Sequence, residues 1–367
     1  MQALILAGGE GTRLRPLTST IPKPVVPLAG RPHMVHMIDW VRRHGVDEVV
    51  LSCGFMADDV RRVLDAGESL GVRVLYVEEP TPLGTGGALR YAGDLLQDRF
   101  LMLNGDVLSD FDLSAQLARH EQSGAKATIA LYPVDDPSMY GLVRLGPDGS
   151  VQEFLEKPSP EEFDSNLINA GAYVLERSIL DDMAPAGTNI SIERDVFPKL
   201  VGHGLFGFVG EGYWLDIGTP DRYLQGTFDI LEGNVSTDLS AQLEDGRRVI
   251  AEGATVEGRL IAPTLLGAGT EVADGATVGG CVVLGREVVV EAGAHIERAV
   301  VLDGARVGAH TTIRFSIVGP GADIGEHCHL DGGVVLGEGV RLGADNVLRT
   351  GARLSPGVSL PAGAIRF

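Results

Sequence analysis

The sequence ALILAGGEGTRLRPLT, residues 3–18, decides the first half of the fold. Its apolar start, residues 3–7, predicts a buried strand, and this strand leads into a loop with three glycines. Glycine lets backbone N–H groups approach a ligand closely, and successive N–H groups form a concave anion site. Arg13 and Lys23 follow the loop, and guanidinium and ammonium groups both bind phosphate oxygens. The stretch therefore predicts a binding loop for a polyphosphate.

Two common phosphate-binding motifs do not match this loop. The P-loop requires a Lys-Ser or Lys-Thr pair after its glycines, and the sequence has neither pair here. The dinucleotide motif G-x-G-x-x-G requires a third glycine, and Leu14 occupies that position. A plain strand-to-helix turn with solvated arginines is the structural alternative.

Together with Pro22-Lys23-Pro24, the loop resembles the signature of the sugar-phosphate nucleotidylyltransferases. These enzymes join a nucleoside triphosphate to a sugar 1-phosphate and release pyrophosphate. The resemblance implies that Arg13 and Lys23 are catalytic. It also implies that the nucleotide is bound by Leu6, Ala7, Gly8, Gly9, Gly11 and Thr12.

Composition limits the class of protein. The 367 residues exceed one typical domain, so we expect two domains. A net charge of −20 disfavours nucleic-acid polymers and anionic membranes as partners. The three cysteines, Cys53, Cys281 and Cys328, are too widely spaced to indicate a disulfide framework or a zinc site. We expect a cytoplasmic enzyme that concentrates a few basic groups around an anionic substrate.

Residues 1–233 alternate between apolar runs and helical patterns, as βαβ units do. Strands are predicted at residues 3–7, 48–52, 73–78, 99–103 and 126–132, and helices at residues 31–44, 57–66, 85–91 and 113–123. The pattern predicts an α/β nucleotidyltransferase domain with a Rossmann-like, mixed or parallel sheet. Such sheets bind ligands beyond the carboxyl ends of their strands, where we expect each chemical motif to lie.

Residues 234–367 follow a different period, because an aliphatic residue recurs at every sixth position with two five-residue steps. The positions are Leu260, Leu266, Val272, Val278, Leu284, Val290, Ile296, Leu302, Val307, Ile313, Val318, Ile324, Leu330, Leu336, Leu342, Leu348, Leu354 and Leu360. A flexible linker would not keep this phase, whereas a parallel β-helix needs it. The left-handed β-helix is the form that this segment resembles. We expect it to assemble subunits into a homo-oligomer and to serve regulation.

Two aspartates are expected to hold Mg²⁺. Asp106 follows a predicted strand in Asn104-Gly105-Asp106, and Asp216 lies in WLDIGTP, residues 214–220. Mg²⁺ is commonly held by one or two carboxylates together with substrate phosphates. Taken alone, Asn-Gly-Asp is a turn signal. The metal assignment therefore depends on the family, which places its two metal-binding aspartates in similar motifs.

The family resemblance also implies a sugar 1-phosphate site. The segments that carry it are Tyr140-Gly141, Glu156-Lys157-Pro158 and Asn169-Ala170-Gly171. The implied ligands are Gly141, Glu156, Lys157 and Asn169, with the glutamate on sugar hydroxyls and the lysine on the 1-phosphate.

The segment EPTPLGTGG, residues 79–87, resembles the base-recognition loop of this family, which implies nucleotide contacts from Glu79, Gly84 and Thr85. Uridylyl and thymidylyl members typically have glutamine where Glu79 stands. An ionised carboxylate only accepts hydrogen bonds, and guanine offers two adjacent donors. Along most of its length, including residues 140–143, 154–158, 168–171 and 213–218, the chain resembles the mannose-1-phosphate guanylyltransferases, which use GTP. One departure is Gly86, where guanylyltransferases often have alanine.

Three alternatives stay open at this point. A related enzyme could use glucose 1-phosphate with UTP, dTTP or ATP. A catalytically inactive relative could bind a nucleotide sugar and regulate a partner subunit. An acyltransferase activity in the β-helix would require a base from His295, His310, His327 or His329.

Overall fold

The computed structural model describes residues 1–244 and 246–366. The chain forms two compact units, of which the first contains Met1–Glu10 and Met37–Trp214. The second contains Gly11–His36 and Leu215–Phe367. The glycine loop thus passes from one unit into the other after Glu10. The domain boundary predicted after residue 233 lies at the end of a helix, and the segment Gly11–His36 belongs to the unit of the C-terminal residues.

Seven α-helices are described. They are α1 (His33–Arg43), α2 (Ala57–Leu64), α3 (Gly84–Ala92), α4 (Leu113–Ser123), α5 (Phe197–Leu200), α6 (Pro220–Glu232) and α7 (Ser240–Leu243). Shorter helical turns are Thr12–Leu14, Leu17–Ser19, Lys23–Val25, Glu68–Leu70, Gly93–Leu95, Pro160–Glu162, Arg177–Asp182 and the π-helical Ile192–Val196.

The strands before the β-helix are β1 (Gln2–Ala7), β2 (Pro27–Leu28), β3 (Arg31–Pro32), β4 (Glu48–Cys53), β5 (Arg73–Glu78), β6 (Arg99–Asn104), β7 (Val107–Ser109), β8 (Ala127–Pro133), β9 (Gly141–Leu145), β10 (Val151–Glu156), β11 (Leu167–Glu176), β12 (Leu205–Val209) and β13 (Trp214–Asp216). The predicted strands and helices are therefore present, and most of their bounds differ by one or two residues. The helix predicted at 31–44 is shorter because residues 31 and 32 form β3.

A nine-stranded mixed sheet forms the first unit. Its main path has the order β10-β9-β11-β6-β1-β4-β5, and β8 joins β11 to β12. Strands β6, β1, β4 and β5 run parallel. Strand β11 runs antiparallel to β6, β8 and β9. Parallel strands covered on both faces need continuous apolar sequence, which Val49, Val50 and Leu51 supply at complete burial.

The C-terminal strands build a parallel β-helix in the second unit. They are β14 (Arg248–Ile250), β15 (Thr255–Val256), β16 (Arg259–Ile261), β17 (Thr264–Leu266), β18 (Glu271–Val272), β19 (Thr277–Leu284), β20 (Val289–Val290), β21 (His295–Val301), β22 (Arg306–Val307), β23 (Thr312–Arg314), β24 (Ile317–Val318), β25 (Asp323–Ile324), β26 (His329–Asp331), β27 (Val335–Leu336), β28 (Arg341–Leu342), β29 (Val347–Arg349), β30 (Arg353–Leu354) and β31 (Ser359–Leu360).

The six-residue period is confirmed by the pairing and burial of these strands. Thr277 pairs with His295, and His295 pairs with Thr312, so the second coil is one residue shorter. The shorter coils explain the two five-residue steps. The predicted inward residues from Leu266 to Leu348 form one buried cluster, except Leu302. The prediction is wrong at that position because Val301 pairs with Leu284 and Val318 and so takes the inward place. Leu260, Leu354 and Leu360 at the two ends of the cluster are partly buried. End coils lack a neighbour on one side, which leaves their inward residues more exposed.

Helix α6 packs within this second unit. The Phe228 ring lies 6.0 Å from that of Phe315, and the Arg298 guanidinium lies 4.5 Å from the Phe228 ring centroid. Gly233 ends the helix with φ of 74°. Across residues 1–244 and 246–366, we find no helix with the length and apolar character that a membrane crossing requires.

Candidate active site

The glycine loop of the first unit begins at the carboxyl end of β1. The Gly105 N–H donates to the Leu6 carbonyl oxygen at 2.9 Å, and a Cβ at Gly105 would overlap that oxygen. Because Leu6 pairs with Asn104, β6 ends beside β1. Asp106, which was predicted to bind metal, therefore lies close to the carboxyl end of β1, where the glycine loop begins with Gly8.

Glu79 lies at the same edge, directly after β5. One carboxylate oxygen, Oε1, accepts a hydrogen bond from the Ser52 hydroxyl at 2.8 Å, and Oε2 accepts from the Leu83 N–H at 3.1 Å. A Cβ built on Gly8 would lie 2.9 Å from Glu79 Oε1. Glycine is therefore needed at residue 8 partly because the Glu79 carboxylate occupies the adjoining space. The Glu79 carboxylate, predicted to recognise the base, is half-buried and fixed in orientation.

The predicted nucleotide-binding residues Gly84 and Thr85 begin α3 and pack against residues 188–193. Gly84 has φ of +73°, and its Cβ would lie 2.6 Å from the Ile190 carbonyl oxygen. The Thr85 hydroxyl donates to Glu193 Oε2 at 2.6 Å and accepts from the Ile192 N–H at 2.9 Å. These contacts give both residues a structural task. Their assignment to nucleotide binding stays a prediction.

Gly86, the departure from the family pattern, has a packing reason. Its N–H donates to the Ile190 carbonyl oxygen at 2.9 Å. A Cβ at Gly86 would lie 3.0 Å from Ile190 Cγ2 and 3.1 Å from the Ile192 backbone nitrogen. Alanine at this position would require these neighbours to move.

Three of the predicted sugar-phosphate residues lie on neighbouring strands, and Lys157 directly follows one of them. Gly141 of β9 pairs with Glu156 of β10, and a Cβ at Gly141 would lie 3.1 Å from Glu156 Oε2. On β11, Asn169 follows Ile168, which pairs with Leu142 of β9. The expectation that each motif follows a strand end is wrong for Gly141 and Asn169. Gly141 starts β9, and Asn169 lies near the start of β11, because β11 runs antiparallel to β6 and its beginning meets the same edge.

Glu156 and Lys157 differ in their surroundings. Burial raises the pKa of the Glu156 carboxyl, nearby Glu193 raises it further, and Arg194 and Lys157 act in the opposite direction. Lys157 is exposed and has φ of 53°, a left-handed conformation that is uncommon for a residue with a side chain. Its N–H donates to the Tyr140 carbonyl oxygen at 3.1 Å. Strained backbone of this kind is often found at functional positions.

The sequence analysis did not identify three polar residues near the sugar-phosphate strands, namely Asn104, Tyr173 and Glu193. Asn169 donates through Nδ2 to the Tyr173 hydroxyl at 2.9 Å, and burial raises the pKa of Tyr173 well above its ordinary value. Asn104 Oδ1 is buried and has no hydrogen-bond partner among residues 1–244 and 246–366. Glu193 accepts hydrogen bonds from the hydroxyls of Thr85 and Ser191. The strand-end position of Asn104 was a usable signal, whereas nothing in the sequence marks Glu193.

The catalytic candidates Arg13 and Lys23 lie in the second unit with Asp216. Arg13 Nη1 is 3.8 Å from Asp216 Oδ2, and Asp216 Oδ1 accepts from the Gly218 N–H at 2.8 Å. A Cβ at Gly218 would collide with the Arg13 guanidinium. Glycine at residue 218 therefore makes room for Arg13 beside the aspartate. The second unit brings a cation and a candidate metal ligand together.

Gly11 and Lys23 are also close in this unit. Gly11 has φ of 63°, and its Cβ would lie 3.0 Å from Lys23 Cβ. The Thr18 hydroxyl donates to the Gly11 carbonyl oxygen at 2.7 Å. The loop after Gly11 thus folds back so that the half-buried Lys23 lies beside the glycine.

Comparison with known proteins identifies the family. Residues 2–233, more than half of the chain, match the family model described as Nucleotidyl transferase. The chain belongs to the nucleotidyl transferase family. Residues 260–360 match a second model, described as GMPPB C-terminal domain. These matches confirm the family resemblance and the prediction of a nucleotidyltransferase enzyme.

Similar proteins extend this result over the whole chain. The Mannose-1-phosphate guanylyltransferase of Mycobacterium tuberculosis is 37% identical over 373 aligned residues, covering 100% of this chain and 98% of the relative. The Mannose-1-phosphate guanylyltransferase catalytic subunit beta of Danio rerio is 35% identical, covering 98% of this chain and 97% of the relative. The solved structure of HddC from Yersinia pseudotuberculosis complexed with GMP-PN is 29% identical with a TM-score of 0.53, covering 62% of this chain and 99% of that chain.

The residues of this nucleotidyl transferase suit a divalent metal held mainly by its substrates. In residues 1–244 and 246–366, no group of three or more His, Cys, Asp or Glu side chains is arranged to hold a metal ion. Mg²⁺ is often held by only one or two carboxylates, with phosphates and water completing its coordination. Asp106 in the first unit and Asp216 in the second each have a half-buried carboxylate, and carboxylate oxygens are ligands that Mg²⁺ accepts. Their assignment to metal binding stays a prediction.

Proposed function

We propose that this chain transfers GMP from GTP to mannose 1-phosphate, forming GDP-mannose and pyrophosphate. The observation that carries the proposal is the order of the motifs along one sheet edge of the first unit. The sugar-phosphate residues lie on β9 and β11 and at the end of β10. Asp106 follows β6, the glycine loop follows β1, and Glu79 follows β5. Sugar, phosphate and base follow one another in the same order in a nucleotide sugar.

The names of the full-length relatives support the choice of substrates. The Mycobacterium tuberculosis and Danio rerio proteins are both named as mannose-1-phosphate guanylyltransferases, and the second is named a catalytic subunit. HddC was solved with GMP-PN. These names favour an active guanylyltransferase over a regulatory relative.

Glu79 supports guanine as the base. Its carboxylate has two oxygens with about four acceptor sites. Ser52 and Leu83 occupy one site on each oxygen, which leaves acceptor capacity for two guanine donors. Uracil presents fewer donors, so a pyrimidine would leave a desolvated carboxylate incompletely paired.

In the proposed reaction an oxygen of the sugar 1-phosphate attacks the α-phosphorus of GTP. The new P–O bond forms as the bond to the bridging oxygen breaks, and the electron pair leaves with pyrophosphate. The attacking phosphate is already anionic near pH 7, so no general base is required. Catalysis then depends on positioning and on neutralising charge.

We assign a role in this reaction to each charged side chain of the site. Lys157 would hold the sugar 1-phosphate next to Glu156, which would accept from sugar hydroxyls. Backbone N–H groups of residues 8–12 and the Arg13 guanidinium would bind the leaving pyrophosphate, and Lys23 would bind the α-phosphate. Asp106 and Asp216 would hold Mg²⁺, which when bound neutralises phosphate charge.

Two further properties belong to the same proposal. Exposed apolar residues on the first coils of the β-helix, Ile250 and Ile261, support assembly of identical subunits through that domain. Light scattering of the purified chain would then give a mass above one subunit. The three cysteines are buried free thiols, which supports a reducing cytoplasmic location.

Pyrophosphate release from GTP and mannose 1-phosphate in the presence of Mg²⁺ tests the reaction. We expect turnover by the full chain, and a loss of on the order of 10²–10³ in kcat for Lys23→Ala and Asp106→Asn. Lys199→Ala, which removes an exposed lysine of the same unit as Asp106, is the control. Near wild-type kcat in either variant would contradict the assignment of that residue. A folded chain that binds GDP-mannose without turnover would favour the regulatory alternative.

A further inference from the structure

The β-helix contributes an arginine to the segment that carries Arg13. Arg353 starts β30, and its Nη1 donates to the Arg13 carbonyl oxygen at 3.3 Å and to the Arg15 carbonyl oxygen at 3.1 Å. Both segments belong to the second compact unit. One guanidinium nitrogen thus bridges two backbone carbonyls on either side of Leu14.

These carbonyls lie at the end of a short helical turn. The turn Thr12–Leu14 is closed by the Leu14 N–H on the Gly11 carbonyl at 2.9 Å and the Arg15 N–H on the Thr12 carbonyl at 3.2 Å. Carbonyls at a helical C-terminus lack partners within the helix, and a cationic side chain can satisfy them. Arg353 therefore caps the turn from the carbonyl side.

The backbone that carries Arg353 is held firmly within the β-helix. Arg353 pairs with Val335 in the adjacent coil, and Leu354 pairs with Leu336. Leu354 also packs against the buried core of the β-helix. The segment to which Arg353 binds is by contrast a single short turn. Arg353 can therefore transmit the position of the β-helix to residues 13–15.

The side chain of the same Arg13 is directed at Asp216, with Nη1 3.8 Å from Oδ2. The backbone contact from Arg353 and the side-chain contact to Asp216 thus fix two ends of one residue. We propose that Arg353 is a positioning residue, which holds the backbone of Arg13 so that its guanidinium is oriented for the leaving pyrophosphate. This inference rests on the proposed function of Arg13, and it gives the β-helix a part in the reaction besides assembly.

Kinetics of the full-length protein test this inference. With GTP and mannose 1-phosphate, we expect Arg353→Ala to lower kcat about tenfold and to leave KM for mannose 1-phosphate unchanged. Arg353→Lys keeps a charged donor and should recover part of the loss. Arg341→Ala removes another exposed arginine of the β-helix and serves as the control.

A double-mutant cycle separates positioning from a general structural effect. If Arg353 acts through Arg13, adding Arg353→Ala to Arg13→Ala should lower the residual kcat by less than about twofold. An equal factor in both backgrounds, or wild-type kcat in Arg353→Ala, would overturn the inference. A similar loss in Arg341→Ala would do so too.

Hydrogen exchange supplies a readout that does not depend on activity. Arg353→Ala should speed amide exchange in a peptide covering residues 11–18, because the turn loses its cap, whereas exchange in β1 should stay unchanged. Unchanged exchange in residues 11–18 would overturn the inference. If the wild type released no pyrophosphate, the proposed function would fail, and the exchange measurement would still decide whether Arg353 holds the turn.

Discussion

Replacement of Glu79 by glutamine should weaken the preference for GTP while leaving the fold intact. The Leu83 N–H, 3.1 Å from Glu79 Oε2, requires an acceptor, so the amide oxygen of glutamine should face Leu83. The amide nitrogen then faces Ser52, whose hydroxyl can accept as well as donate. Both internal hydrogen bonds are kept in this arrangement, and we expect a Tm close to that of the wild type.

The substitution should instead weaken the binding of guanine. With the amide nitrogen in place of Oε1, the site loses an acceptor and its negative charge on the side of Gly8. A hydrogen bond to a charged group contributes about 1.5–3 kcal/mol. We therefore expect a loss of about 2.7 kcal/mol in transition-state stabilisation, which corresponds to a roughly 100-fold lower kcat/KM for GTP. The same amide can donate to O4 of a pyrimidine, so kcat/KM for UTP or dTTP should rise relative to GTP.

The assay is pyrophosphate release at varied GTP, UTP and dTTP concentrations with mannose 1-phosphate held constant. Ser52→Ala is the matched control, because it removes one internal hydrogen bond and leaves the carboxylate in place. We expect this control to lower kcat/KM for all triphosphates by a similar, smaller factor. If Glu79→Gln retains GTP activity within roughly threefold, or loses activity with every triphosphate equally, the base-recognition account of Glu79 is refuted.

Variants at three further positions test other parts of the site. Gly105→Ala should lower both Tm and kcat, because its Cβ would overlap the Leu6 carbonyl oxygen and push Asp106 away from β1; thermal unfolding with unchanged Tm would contradict this. Glu156→Gln should raise Tm near pH 7, since burial raises the pKa of Glu156 and stability falls as pH rises through a raised carboxyl pKa. That gain should vanish below the ordinary glutamate pKa of about 4.3, so a Tm difference independent of pH would be the contrary result. Lys157→Gly and Lys157→Ala should lower kcat/KM for mannose 1-phosphate equally, because both remove the ammonium group. The glycine variant should be more stable than the alanine variant by about 1 kcal/mol, because residue 157 has φ of 53°. Equal free energies of unfolding in urea for the two variants would contradict this.

Much of the fold could be predicted because its periods are local. A run such as Val49, Val50 and Leu51 is apolar throughout because both faces of its strand are covered. The six-residue recurrence of aliphatic residues between Leu266 and Leu348 fits only stacked coils. Strand direction was harder to predict. In the nine-stranded sheet, strands β9, β10, β11 and β12 were not predicted, and β11 runs antiparallel to its neighbours β6, β8 and β9. Direction depends on connections and packing, which composition does not record.

The site could be predicted where a short sequence motif contains a residue type, such as glycine, that the local backbone requires. Gly8, Gly11 and Gly105 were visible as glycines, and the structure shows which backbone or side chain requires each one. Glu193 and Arg353 could not be found in this way. Glu193 contacts Thr85 across a long stretch of sequence, and Arg353 contacts Arg13 and Arg15 from near the other end of the chain. Contacts between such distant residues exist only after folding.

The central claim is tested most directly by measuring pyrophosphate release for GTP, UTP, dTTP and ATP, each with mannose 1-phosphate and with glucose 1-phosphate, in the presence of Mg²⁺. The account predicts the highest kcat/KM for GTP with mannose 1-phosphate. A higher kcat/KM for a pyrimidine triphosphate or ATP with glucose 1-phosphate would contradict it.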